Sequence, residues 1–168
     1  DDEMLAAMAE CDRVCKYIDL PLQHAADGVL RRMKRPGTRR QYETLLARIR
    51  RRVPGVALRT TFIVGFPGET DADVDALCGF VRDQQFDHLG VFTYSHEEGT
   101  TAFAMTDDVP ARAKRGRRDR VMRLQREMAA RRQRARIGER VRLLVDGAAA
   151  DHALVLKGRL ATQAPDID

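Results

Sequence analysis

Three short runs bring together residue types that could do chemistry. Gln23-His24 places an amide and an imidazole just past the apolar stretch Tyr17, Ile18, Leu20. Gly65-Phe66-Pro67-Gly68 is followed at once by an acid, Glu69, and a hydroxyl, Thr70. Tyr94-Ser95-His96-Glu97-Glu98-Gly99-Thr100 gathers a phenol, a hydroxyl, an imidazole and two carboxylates. The two glycines of the second run would let a ligand approach the backbone closely, and the other groups can orient a polar ligand. Each run also has a plain structural reading: an ordinary turn between strand and helix, and a packed, hydrogen-bonded His24. Three cysteines, Cys11, Cys15 and Cys78, form no even disulfide framework, so a reducing cytoplasm is the expected setting.

The elements that must position these runs follow from hydrophobic spacing. Thr60-Thr61-Phe62-Ile63-Val64 is an apolar, β-branched run that reads as a strand buried on both faces. Thr70 is the expected N-cap of the helix over residues 71–84, with Asp73 completing a loose capping box and Val74, Leu77, Cys78 and Val81 inward. Lys16 to His24 starts as a strand that Pro21 should end or bulge, and His88 to Ser95 is a third strand. Helices are expected over residues 3–14, 27–35 and 39–53. The last of these carries Tyr42, Leu45, Leu46, Ile49 and Val53 on one face. Strands that alternate with helices pair in parallel, and ligands then gather at the carboxyl ends of the strands. All three polar runs stand there. Three strands cannot close a barrel, so the pattern reads as a slice of a (β/α) barrel or an unusual small α/β domain.

A long helix should run from about Ala111 to Arg136, with Val121, Leu124, Met128 and Ala135 on a narrow apolar stripe and Gly138 as its stop. From Ala111 to Ile137 there are twelve Lys or Arg against two acids, about twice the +5 net charge of all 168 residues. That segment is a solvated helical face or a surface facing RNA or the ribosome. The tail alternates as a half-buried strand over Arg140 to Val145, shows a hairpin turn signal at Asp146-Gly147, and resumes as a strand over Ala153 to Gly158. No apolar run approaches the ~18 residues of a membrane span. The chain opens inside a helical pattern without an initiator Met and reads as a piece of a longer protein.

Three segments together carry a resemblance: YIDLPLQHA with the following MKRPG, LRTTFIVGFPGET, and DHLGVFTYSHEEGT. In order and spacing they resemble the methylthiotransferase branch of the radical S-adenosylmethionine enzymes. Within it they are similar to the type that modifies protein twelve of the small ribosomal subunit. The tRNA-modifying type shares FIVGFPGET but differs at Pro21-Leu22-Gln23-His24-Ala25-Ala26, at Arg59-Thr60-Thr61 and at Tyr94 to Thr100. The end of the chain, QAPDID, is similar to the appended TRAM domain, an oligonucleotide/oligosaccharide-type β-barrel.

The resemblance implies the C-terminal half of a partial (β/α) barrel over residues 1–137, ending in the long basic helix, and the start of a TRAM barrel over 138–168. It implies S-adenosylmethionine and two four-iron–four-sulfur clusters in the whole enzyme, and β-methylthiolation of an aspartate as the reaction. The expected partner is small-subunit protein twelve, with ribosomal RNA as a further candidate and no membrane. The cofactor-binding positions it implies are Gln23, Arg59, Ile63, Gly65, Gly68 and Glu69; the substrate-positioning ones are His24, Tyr94, Ser95 and Glu98. Arg59, a charge inside an apolar strand, needs a partner: the cofactor's carboxylate, the substrate aspartate, or Asp19 of the neighbouring strand. The family's CxxxCxxC motif is not met, because Ile18 stands where a third cysteine would follow Cys15. No catalytic residue or metal ligand is therefore assigned within the chain, and the segment alone is expected to be inactive. A non-catalytic piece binding the ribosome or RNA is the reading from a different class.

Overall fold

The structure is a computed structural model and describes residues 1–150, 152–165 and 167. The elements in chain order are α1 (Asp2–Glu10), β1 (Tyr17–Asp19), α2 (Asp27–Arg32), α3 (Arg39–Arg52), β2 (Ala57–Val64), α4 (Asp71–Gln84) and β3 (His88–Thr93). A short 3-10 turn (Thr101–Ala104) follows, then α5 (Ala111–Ala135), β4 (Leu144–Ala149) and β5 (His152–Arg159). The first three strands form one parallel sheet in the order β1-β2-β3, with Asp19 beside Arg59 and Arg59 beside His88.

The expectation that β2 is buried on both faces is corrected. Leu58, Thr60, Phe62 and Val64 are almost fully buried, whereas Arg59, Thr61 and Ile63 are only partly covered. The buried row faces α3 and α4, whose Leu46, Ile49, Leu77 and Val81 belong to the same core. Phe62 anchors this layer edge-on to Phe80 and Phe86, with ring centroids 6.4 and 6.1 Å away. Phe92 of β3 is 65% exposed, and its register partner is Ile63 on the partly covered row. Parallel strands are usually layered on both sides; this sheet carries its apolar layer on one.

Helix ends follow local chemistry. Thr70 caps α4 as expected: its hydroxyl accepts from the Asp73 N–H at 3.3 Å, and the Asp73 carboxylate accepts from the Thr70 N–H at 2.9 Å. α1 stops at Glu10, where Cys11 turns extended, short of the expected residue 14. α2 stops at Arg32, because Lys34 enters the left-handed region at φ 52° and Arg35 precedes a proline, a position that disfavours helix. Pro21 does interrupt β1; Gln23 then rejoins the sheet through a single parallel bridge to Phe62.

In the tail, the expected hairpin turn at Asp146-Gly147 is not one. Those residues lie inside β4, at a break in register where Val145 faces Gly158 and Gly147 faces Lys157. Gly147 has φ 140°, and the Asp146 carboxylate pairs with Arg159 across the ribbon, so the glycine serves a bulge. At the end of the ribbon Ala149 pairs with His152. Among the described residues the tail is a two-stranded antiparallel ribbon. Among them also, no helix is long and apolar enough to cross a membrane.

Candidate functional site

The carboxyl ends of β1, β2 and β3 surround a cavity of about 370 Å³, within the range of small-molecule sites. Gln23, Ile63, Tyr94 and Ser95, four of the positions expected to bind, line it. Phe66 and Arg35 add an apolar wall and a cation that sequence reasoning did not select. Arg35 was visible within MKRPG, but nothing in that run says that it turns toward the strand ends. Phe66 stacks edge-on against Tyr94 with centroids 5.0 Å apart. Burial, with Asp107 and Glu97 nearby, pushes the Tyr94 phenol above its ordinary range, so it is a hydrogen-bond donor at neutral pH. The Ser95 hydroxyl donates to Glu97.

Gln23 reaches the cavity through an unusual backbone. Its φ is 69°, the left-handed region that residues with a Cβ rarely adopt. The conformation is held from both sides: its N–H donates to the Thr61 carbonyl at 3.0 Å, and its own carbonyl accepts from Ile63 at 2.8 Å. Strain kept in place by such pairing is concentrated at functional sites.

The other expected residues go elsewhere. His24 is fully buried, and its Nδ1 accepts from the Ala26 N–H at 2.9 Å. Its Nε2 faces Glu69 Oε2 at 3.3 Å. The angle there is poor, and neither atom has a well-formed hydrogen bond among the described residues. Glu69 is likewise buried, and its Oε1 accepts from Gly65 N–H at 2.9 Å and from Arg117 at 3.0 Å. Arg117 also reaches the Glu69 carbonyl and Asp71. His24 and Glu69 thus form a buried clamp on the turn and do not open into the cavity.

The glycines are likewise filled from within. A Cβ on Gly65, at φ 76°, would lie 2.3 Å from Lys114 Cγ, so it is the stem of this chain's own lysine that makes the close approach. Lys114, 7% exposed, ends against Asp107 at 2.6 Å and over the Tyr94 ring at 4.9 Å. Gly68 lies under Arg32, which donates to the Pro67 and Gly68 carbonyls at 3.1 and 2.9 Å. Its own N–H donates to Asp108 at 2.8 Å. α2, α4, α5 and the segment before α5 therefore grip the turn, and none of Arg32, Lys114 and Arg117 had a signal in the sequence. Arg59 sits near the start of β2, 3.4 Å from Asp19, away from the cavity. Glu98 is exposed on a turn and does not line it.

The cavity fits an adenosyl sulfonium ligand in kind: apolar walls for a flat ring, hydroxyls and an amide for a ribose, and Arg35 for a carboxylate. An iron–sulfur cluster does not fit the residues present. Such clusters take thiolates, yet Cys78 is buried within α4 while Cys11 and Cys15 are exposed. Among the described residues no three His, Cys, Asp or Glu side chains converge on one point.

Residues 1–81 match the Radical SAM superfamily. The chain is 52% identical over 167 residues, 99% of its length, to the ribosomal protein uS12 methylthiotransferase RimO of Anaeromyxobacter sp. (strain K), of which it covers 36%. It is 47% identical to the protein of the same name from Trichlorobacter lovleyi and 46% to that from Geobacter sulfurreducens, covering 99% of itself and 37% of each. The chain spans a little over a third of the length of the curated relatives it matches. By sequence, the chain is a homologue of part of the radical S-adenosylmethionine methylthiotransferases of the RimO type.

Proposed function

We propose that this chain is the C-terminal part of the barrel, with the beginning of the following domain, of a methylthiotransferase. The enzyme adds a β-methylthio group to an aspartate of small-subunit ribosomal protein twelve. The 52% identity along 99% of the chain to a uS12 methylthiotransferase carries this reading; the cavity at the strand ends supports it. The division proposed is residues 1–137 for the barrel part and 138–168 for a TRAM-type part. The setting is the cytoplasm, with ribosomal RNA as a further partner beside protein twelve.

S-adenosylmethionine, when bound, would supply the hydrogen-abstracting radical and the methyl group. Within this chain, Gln23, Ile63, Phe66, Ser95 and Arg35 are the residues that would hold it. Ile63 and Phe66 exclude water from one wall. The protonated Tyr94 hydroxyl, within reach of the Ala102 carbonyl at 3.4 Å and His96 Nδ1 at 3.1 Å, offers a donor to a substrate carboxylate at the rim. Gly65, Gly68, Glu69 and His24 act behind the wall, keeping the turn in one conformation. The two clusters of the whole enzyme find no ligand set among the described residues.

Mass spectrometry of small-subunit protein twelve, from cells with and without the full-length gene, tests the reading. A methylthio-aspartate lost on deletion is expected. An unmodified protein together with loss of methylthio-adenosine from tRNA would transfer the assignment to the tRNA-modifying type. No change in either would leave the binding-piece reading.

A further inference from the structure

The cations of α5 divide between two faces. On the side packed against the body, Lys114, Arg117, Arg120 and Arg132 each meet an acid: Asp107, Glu69 with Asp71, Asp75 and Asp87 in turn. Away from these pairs Arg112, Arg115, Arg123, Arg126 and Arg134 are all exposed, with Arg126 at the flank, where it lines a groove against β3 with Asp87, His88 and Met122. None of these five has an ion pair among the described residues. Positions 112, 123 and 134, and likewise 115 and 126, repeat every eleven residues. Eleven residues make about three helical turns, so the five positions fall into two adjacent rows, about 60° apart, that run along the helix and do not wind around it. At about 1.5 Å per residue the longer row is ~33 Å long.

Two acids lie near these rows. Asp119 is held by Arg118 at 2.9 Å, which leaves its charge compensated; Glu127 stands at the edge. Along the outer row of Arg112, Arg123 and Arg134 the helix carries no aromatic or large aliphatic side chain among the described residues; Met122 and Ile167 stand beside Arg126 at the flank. A protein partner docks through an apolar, aromatic-rich centre with charges at the rim. A phosphate backbone asks for guanidinium groups in a row and little else.

We propose that the two exposed rows of α5, Arg112, Arg115, Arg123, Arg126 and Arg134, are a docking surface for the phosphate backbone of RNA. The choice of RNA over other polyphosphates rests on the ribosomal reading above; the surface itself rests on the helix. The paired cations fix α5 against the turn at Gly65–Glu69, so a backbone held on the outer face lies at a set position relative to the strand-end cavity.

The test is fluorescence anisotropy of the 168-residue chain with a labelled RNA duplex of mixed sequence, titrated between 50 and 200 mM salt. Five phosphate contacts give a log–log slope of about −4.5, which is roughly a 500-fold loss of affinity across that range. R123Q/R126Q should bind more weakly at low salt and flatten the slope by roughly two units. Gln keeps the helix. R123K/R126K should keep the slope. R40Q/R51Q, which removes the same charge from the exposed face of α3, should leave it unchanged. Equal losses in R40Q/R51Q and R123Q/R126Q would overturn the proposal. So would displacement of the RNA by polyglutamate at equal charge concentration, which would point to an acidic protein. Anisotropy reads binding without turnover, so this surface and the methylthiotransferase reading can fail separately.

Discussion

Gln23 and His24 are adjacent in the chain and serve opposite sides of the same loop. Gln23 turns outward, lines the cavity and carries a strained left-handed backbone. His24 turns inward, is fully buried and joins Glu69 and Arg117. The difference teaches that polar residues at strand ends divide into those that meet a ligand and those that hold the loop. Residue type does not separate the two sets; the direction of the backbone does. The same division runs through the next turn, where Ile63 and Phe66 face the cavity while Gly65 and Glu69 face α5.

The comparison breaks most visibly if the inward set is not structural. Glu69→Ala would take the buried carboxylate from Arg117, 14% exposed, leaving it only the backbone carbonyl of residue 69 and Asp71, and would strand the Gly65 N–H. Removing one partner of a buried charge pair costs about 3–5 kcal/mol, so the urea midpoint should fall steeply. A loss under about 1 kcal/mol would show that the clamp is not closed in solution. Gly65→Ala comes next. Left-handed backbone with a Cβ costs about 1–2 kcal/mol, and the collision with the Lys114 stem adds to it. A double-mutant cycle separates the two, since the same substitution in a Lys114→Ala background should cost less by the collision part alone. Equal costs in both backgrounds would remove Lys114 from the account.

The outward set should behave in the reverse way. Gln23→Gly removes a cavity-lining side chain and relieves a positive φ, so stability should hold or rise by about 0.5–1 kcal/mol. In the full-length protein, calorimetric titration with S-adenosylmethionine should show affinity reduced about tenfold, or roughly 1.4 kcal/mol. Lower stability with unchanged affinity would place Gln23 with the clamp and merge the two sets.

Much of the frame was legible because it depends on local chemistry. The capping box at Thr70 and Asp73, the span of α4 and the parallel order of the strands all follow from spacing within a few residues. The break at Pro21 follows from a missing N–H. The site was legible only in part. Spacing placed Gln23, Ile63, Tyr94 and Ser95 at strand ends, and they meet there. It could not show that Lys114 and Arg117 would be the groups filling Gly65 and pairing Glu69, because they lie 49 and 48 residues further along the chain. For Arg59 the sequence left three partners open, and the structure pairs it with one of them, Asp19 of the neighbouring strand. At the hairpin, Asp146-Gly147 carried a turn signal, yet a bulge uses the same glycine conformation.

The smallest effect concerns the helix that follows the turn, and its sign depends on pH. Burial opposes ionisation of Asp73, but hydrogen bonds from the Thr70 N–H and hydroxyl, with Arg32 and His24 nearby, outweigh it and hold the carboxyl below its ordinary value of 3.8. A group whose folded pKa is depressed contributes stability that is fully present above the unfolded value. That stability is lost as pH falls through the folded value. The capping box should therefore support α4 unchanged from neutral pH down to about 4 and weaken in more acid solution. Asp73→Ala should lower stability at pH 7 by about 0.5–1 kcal/mol, the size of a lost cap. Its difference from the parent should shrink as the parent's own carboxylate protonates. Denaturation curves at pH 7, 4 and 3 read both. A difference that stays constant across those three values would mean that Asp73 acts at α4 through its bulk and not through its charge, and that α4 is anchored by Phe80 and Val81 in the core alone.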